Sequence, residues 1–245
     1  MALSLPKMEA SGRCVSPFLQ FWYTNNINFT KMQLPLTTHI AGQKKVSDWL
    51  LVRNDLDDFT NTILWTAVFN DYFQTRLKDR YLGPINSIKK NDSYGGEGFS
   101  IMTIICSLVE FLETTYKGLN YRYVKKGEPP LGQFEYSISG QIFLDFLTLR
   151  EPFRNHFDAL LADGFYSSVR CGLLHEARTN GKWTIWGKSS TQLLIETTLT
   201  ETIVYRDDFY NALLDFVNNH YRVDLLASDD LKRAFLRKFD KLCEE

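Results

Sequence analysis

The amino-acid sequence predicts a mostly α-helical bundle with a small β-hairpin inserted late in the chain. Three observations carry that expectation. Apolar residues recur at helical spacing in successive stretches from residue 57 onward. The period changes to alternation only within about residues 182–205. Composition is that of a globular chain with a dense core: 245 residues, 44% hydrophobic, 14% aromatic and 23% charged.

Residues 1–56 read as an N-terminal cover segment of mixed structure, with Phe18, Phe21, Trp22 and Tyr23 ahead of Pro35 and Gly42. The bundle is assigned to 57–245. Its first helix starts at Asp57, with Asp57 or Asp58 as cap and Phe59, Ile63, Thr66 and Asn70 on one face. It is expected to end before Gly83–Pro84. A loop then runs to Gly98. Its Tyr94–Gly98 stretch reads more readily as a turn needing positive φ than as a phosphate cradle.

The next helix, about Phe99–Lys117, has Ile101, Ile104, Ile105, Leu108, Leu112 and Tyr116 on a wide apolar face. Glu110 and Glu113 fall roughly opposite, and Gly118 suits the C-terminal cap. After a Pro- and Gly-rich loop come two helical stretches, 140–149 and 153–161, broken near Pro152. A helix from Asp163 to Arg178 follows. Lys182–Trp186 and Gln192–Thr197 then form the hairpin, with Glu201–Tyr205 as a third strand. Two apolar stripes close the chain. The first is Phe209, Leu213, Phe216, Val217 and Tyr221. The second is Leu231, Phe235, Leu236, Phe239 and Leu242, flanked by basic residues expected to be solvated.

Several function classes drop out. A net charge of −1 argues against a strongly basic nucleic-acid coat protein, though a local basic site is compatible with it. The apolar runs are shorter than the ~20 residues a bilayer span needs, so no membrane partner is expected. Met1–Ser16 lacks the apolar core of a secretory signal. Cys14, Cys106, Cys171 and Cys243 are scattered, as in a reducing, cytoplasmic setting. No nucleotide-binding loop, zinc motif or Cys/His cluster occurs, and no cofactor or metal is expected.

Two Arg-to-His spacings remain. Arg170-Cys-Gly-Leu-Leu-His175 is R-x4-H, and Arg150 to His156 is R-x5-H. Chance supplies roughly 0.6 such matches in a chain of this composition, so context decides between them. Pro152 interrupts the second. The first lies within Phe165–Arg178, after an apolar helix carrying Glu110 and Glu113. That stretch, with its aromatic and small-residue lead-in, Arg, apolar pair, His and polar end, resembles the motif helix of the HEPN ribonucleases.

The resemblance implies a HEPN-like bundle across roughly residues 57–225. It implies a metal-independent endoribonuclease, a toxin or antiphage effector that cleaves RNA through a 2′,3′-cyclic phosphate. Arg170 and His175 would be catalytic, and Arg178, Glu110 and Glu113 would bind substrate. Such cleavage needs a base for the 2′-OH, an acid for the leaving 5′-oxygen and positive charge on the phosphorane. His suits the proton transfers, and Arg forks onto phosphate oxygens. On an ideal helix Arg170 and His175 point about 140° apart. Two motif helices meeting across a two-fold axis would converge them, so a homodimer through Asp163–Arg178 is expected. An antitoxin completes the partner list.

Other roles stay open at this stage. His175 fits a packed or N–H-donating core His, and Arg170 fits an ion pair with Glu110 or Glu113. Trp183 and Trp186 fit either base stacking or packing of the hairpin. The alternative function is a catalytically inactive HEPN-like dimeric binding or scaffold protein.

Overall fold

The computed structural model describes residues 33–91 and 95–244, which form seven helices and seven short strands. Residues 1–32, with Cys14 and the aromatic cluster around Trp22, lie outside the described residues. The described chain opens with strands β1 (His39–Ala41) and β2 (Lys44–Lys45), an antiparallel pair turning at Gly42. Helix α1 (Val46–Arg53) follows where the sequence suggests only mixed cover. Asp48 accepts the Lys45 N–H at 2.8 Å and closes its first turn. Val46 and Trp49 are fully buried, and Trp49 Nε1 and Arg53 Nε both donate to Asp240 near the C-terminus. Gln33–Glu245 pack as one compact unit, so residues 33–56 contribute to the core.

Helix α2 (62–90) begins later and ends later than its sequence pattern predicts. Asn61, not Asp57 or Asp58, is its cap and accepts the Leu64 N–H at 3.1 Å. Asp58 instead accepts from Thr60. Two π turns, Phe69–Gln74 and Lys78–Leu82, lie within the helix. Each inserts a residue and slips the 100° phase on which the face assignment rests. Ile63, in the first turn ahead of both π turns, faces solvent, while Trp65, Val68, Phe69, Tyr72, Phe73 and Leu77 are buried. Pro84 falls in the first turn of the segment after the second π turn, where a missing N–H is tolerated. Gly83 is required there, because a Cβ would lie 2.8 Å from the Lys78 carbonyl oxygen.

Helix α3 (Glu97–Lys117) buries Ile101, Met102, Ile105, Leu108, Val109 and Leu112, close to the expected face. Its 21 residues are, by length and a mean hydropathy of 1.3, sufficient to cross a membrane, which corrects the estimate from the uninterrupted apolar runs. Most of the helix is buried inside the protein, as a core helix must be. Glu113 also departs from expectation. It is fully buried rather than opposite the core, because α3 is covered on that face too.

Strands β3 (Asn120–Tyr121) and β4 (Glu135–Tyr136) form a short parallel pair ahead of α4 (Gly140–Leu149). Helix α5 (159–176) starts at the Asp158 cap, whose carboxylate accepts the Leu161 N–H at 2.8 Å. Strands β5 (Trp183–Trp186), β6 (Ile195–Thr197) and β7 (Thr202–Tyr205) come next. They are ordered β5–β7–β6, so the expected β5–β6 hairpin does not form. The hairpin is β6–β7, and β5 runs parallel to β7. All four β7 residues are buried, which suits a central strand, whereas Trp186 is exposed at the sheet's end. Helices α6 (206–227) and α7 (Asp229–Lys241) complete the fold.

α3 is the axis of the bundle. It touches α2, α4, α5, α6, α7 and β5. Its C-terminal cap shows how closely. Gly118 has φ +66°, and a Cβ there would lie 2.7 Å from the Ala234 Cα of α7. Gly118→Ala combines a left-handed φ with a backbone clash. It is expected to lower the unfolding free energy by more than ~1 kcal/mol in urea titration, with an unchanged denaturant slope.

Candidate functional site

The middle of α5 is a π turn, Phe165–Arg170, closed by the Cys171 N–H donating to the Tyr166 carbonyl. From Cys171 to Glu176 the helix is regular α. The step from Arg170 to His175 therefore keeps the ordinary ~140° divergence. Phe165, Val169, Gly172 and Leu173 face the core. Arg170 turns inward toward α3, and His175 stands exposed.

Arg170 Nη2 pairs with Glu110 Oε2 at 3.4 Å, and its guanidinium lies 5.5 Å from the Tyr166 ring centroid. Burial opposes the Arg170 charge, but Glu110 and Tyr166 outweigh it, and the guanidinium pKa is raised. The other oxygen of Glu110 accepts the Tyr136 hydroxyl at 3.0 Å. Burial, reinforced by Glu110, pushes the Tyr136 phenol up. Of the two ion-pair partners open to Arg170, the structure uses Glu110.

Glu113 belongs to the rival motif. Arg150 forks onto it, Nε to Oε2 at 2.8 Å and Nη2 to Oε1 at 2.9 Å, and stacks 3.8 Å from the Tyr116 ring centroid. Lys117 adds a second cation at 3.3 Å. Glu113 is thus saturated and sealed from solvent, which corrects its assignment as a substrate contact. Arg150 is committed to the same pair. His156 is half-buried beyond a short 3-10 turn, and burial lowers its pKa.

The end of α5 also differs from its sequence reading. Ala177 adopts φ +53° and stops the helix, so it ends short of the expected Arg178. The chain reverses instead. Arg178 N–H approaches the Gly172 carbonyl at 3.4 Å, and Asn180 N–H donates to Ser168 O at 2.9 Å. Gly172 is what permits this, because a Cβ there would sit 2.5 Å from the Arg178 oxygen. The Arg178 side chain remains exposed near the end of the motif helix.

Trp183 packs edge-on against Phe165 at 6.3 Å, over the bare Cα of Gly164, and so holds the sheet on α5. Cys106, Cys171 and Cys243 are free thiols. Among the described residues no cluster of His, Cys, Asp and Glu is able to hold a metal. Tyr94 lies outside the described residues, while Gly95 and Gly96 take the positive φ that the turn reading requires. No family model, curated protein or solved structure matches this chain.

Sequence reasoning missed Tyr136, Tyr166 and Lys238. Tyr136 sits in an aperiodic Gly- and Pro-rich stretch with no signal to find it. Lys238 had one: it falls three residues after Phe235 and four before Leu242, inside an apolar stripe. The structure buries it, and Lys232 with it, against the expectation of a solvated basic face.

The two Arg–Glu pairs should respond differently to truncation. Arg150→Met leaves a sealed carboxylate with one cation, and a loss of about 3–5 kcal/mol is expected. Arg170→Met leaves Glu110 at a partly open edge with a hydroxyl donor, and about 1 kcal/mol is expected. Equal losses in chemical denaturation would contradict this division of roles.

Proposed function

We propose that this chain is a cytoplasmic, HEPN-type, metal-independent endoribonuclease, acting as a toxin or antiphage effector. One observation carries the reading. On a single helix, Arg170 is anchored and kept charged by Glu110, while five residues on His175 stands exposed with no hydrogen-bond partner among the described residues. An anchored cation and a free imidazole are the two kinds of group that transphosphorylation needs.

The chemistry follows from those groups. The 2′-OH attacks phosphorus and loses its proton to one imidazole. The phosphorane charge is held by a guanidinium. The 5′-oxygen leaves with a proton from a second imidazole, giving a 2′,3′-cyclic phosphate. One protomer supplies a single His175, directed away from Arg170. Two α5 helices across a two-fold axis supply both imidazoles and both cations. Leu160 and Leu174, exposed at 81% and 50% on α5, give such an interface apolar surface to bury. Arg178 is left free for phosphate, and Glu110 acts by positioning Arg170.

A second reading has its own support. Glu110 already neutralises Arg170, and a guanidinium so paired serves equally as a strut in an inactive dimeric binding or scaffold protein. RNA assays separate the two. His175→Ala and Arg170→Ala should each lower cleavage at least ~10²-fold, Arg170→Lys should not restore it, and His156→Ala should leave it nearly unchanged. Activity should survive excess EDTA and leave cyclic ends. Dependence on magnesium, or loss with His156→Ala alone in a folded protein, overturns the mechanism. Inactivity of the wild type on every RNA tried favours the scaffold. Light scattering at micromolar concentration should give a dimer, and a Leu174→Glu charge on the α5 face should yield monomers. A wild-type monomer would rule out the composite site.

A further inference from the structure

Elements α2, α3, β4 and α7 enclose a cleft of about 280 Å³, lined by Tyr81, Ser107, Glu110, Phe111, Tyr136 and Lys238 among others. Lys238 lines it, and a second buried cation, Arg76, lies behind it against the lining residue Phe111. Lys238 Nζ stands 5.8 Å from the Phe111 ring centroid and the Arg76 guanidinium 5.4 Å. Each residue is only 8% exposed. Lys238 donates to the Leu119 carbonyl at 2.9 Å, and Arg76 donates Nη1 to the Ile40 carbonyl at 2.5 Å. Neither forms an ion pair with a carboxylate among the described residues. Arg76 Nε is buried with no acceptor among the described residues.

Unpaired buried charge is costly, and protein interiors rarely leave such donors orphaned. The strain shows in the proton affinities. Burial, and then Arg76, pulls Lys238 down to about 8 against the pull of Glu110. Burial, and then Arg80, pulls Arg76 down to about 10. Glu110 favours the Lys238 charge but forms no ion pair with either cation. Its oxygens are taken by Arg170 at 3.4 Å and the Tyr136 hydroxyl at 3.0 Å. With Glu110 cancelled by Arg170, the cleft carries excess positive charge, which an anion would neutralise. The walls add a shape requirement. The Tyr81 and Phe111 rings stack at 6.0 Å and 26°, presenting flat apolar surface beside Lys238. Exposed Ser107 stands at the margin.

We propose that this cleft binds a small phosphate monoester carrying a flat apolar group, with Lys238 donating to the phosphate and Tyr81 and Phe111 taking the flat group. The site is independent of the ribonuclease reading, since it uses neither His175 nor the Arg170 guanidinium as a ligand contact.

Calorimetric titration of the full chain with phenyl phosphate, inorganic phosphate and phenol tests it. Phenyl phosphate should bind, with phenol and inorganic phosphate each at least ~10-fold weaker. Lys238→Met keeps the buried stem and removes the charge, and binding should weaken roughly 10- to 100-fold. Ser107→Trp closes the mouth from an exposed position and should abolish binding without touching the core. That variant decides the matter if Lys238→Met does not fold. Failure of phenyl phosphate to bind at ~10 mM, equal binding of phenol, or undiminished binding by Ser107→Trp overturns the proposal. Equal binding of inorganic phosphate overturns the assignment of the flat group.

Discussion

The helix that must be buried on nearly every side also carries two carboxylates within one turn. Everything else around α3 answers that constraint. Apolar residues of α2, α6 and α7 cover one part of it, and α4 and α5 cover the part bearing Glu110 and Glu113. A carboxylate in such a place survives as a charge only if cations come to it. Arg150 and Lys117 do so for Glu113, and Arg170 for Glu110. The two Arg-to-His spacings in the sequence thus have related origins. Each arginine is the counter-ion of one α3 carboxylate.

The two pairs differ in depth, and that difference separates their roles. Glu113 is sealed and held by a two-pronged guanidinium, an arrangement that resists any rearrangement toward solvent. Glu110 sits at the edge, where a longer contact to Arg170 and a tyrosine hydroxyl share its two oxygens. A phosphate competes with a carboxylate for a guanidinium at such an edge far more readily than in a sealed core. The proposed chemistry therefore belongs to the shallower pair.

Legibility in the sequence followed the regularity of the backbone. α3 is uninterrupted α-helix, and its apolar positions, its extent to within two residues and its glycine cap could be read directly. α2 contains two π turns and α5 and α6 one each, and a phase counted at 100° per residue fails across every one of them. Hence the face counted from Ile63 does not run on regularly past Phe69. The strand order had a readable clue in Thr202–Tyr205, which does not alternate in polarity and so suits a strand with neighbours on both sides. The candidate pair Arg170–Glu110 was one of two pairings open in the sequence. Tyr136 joins it from β4 across 26 residues, a contact that no local pattern encodes.

The chain reversal behind α5 has a mechanical consequence. Between Glu176 and Trp183 the backbone is pinned at Ser168 and pressed onto Gly172, while Trp183 is wedged against Gly164. The link between helix and sheet has no slack. The three-stranded sheet and the end of α5 are tied at Ser168, Gly172 and Gly164, so a displacement of the sheet is expected to carry the imidazole with it.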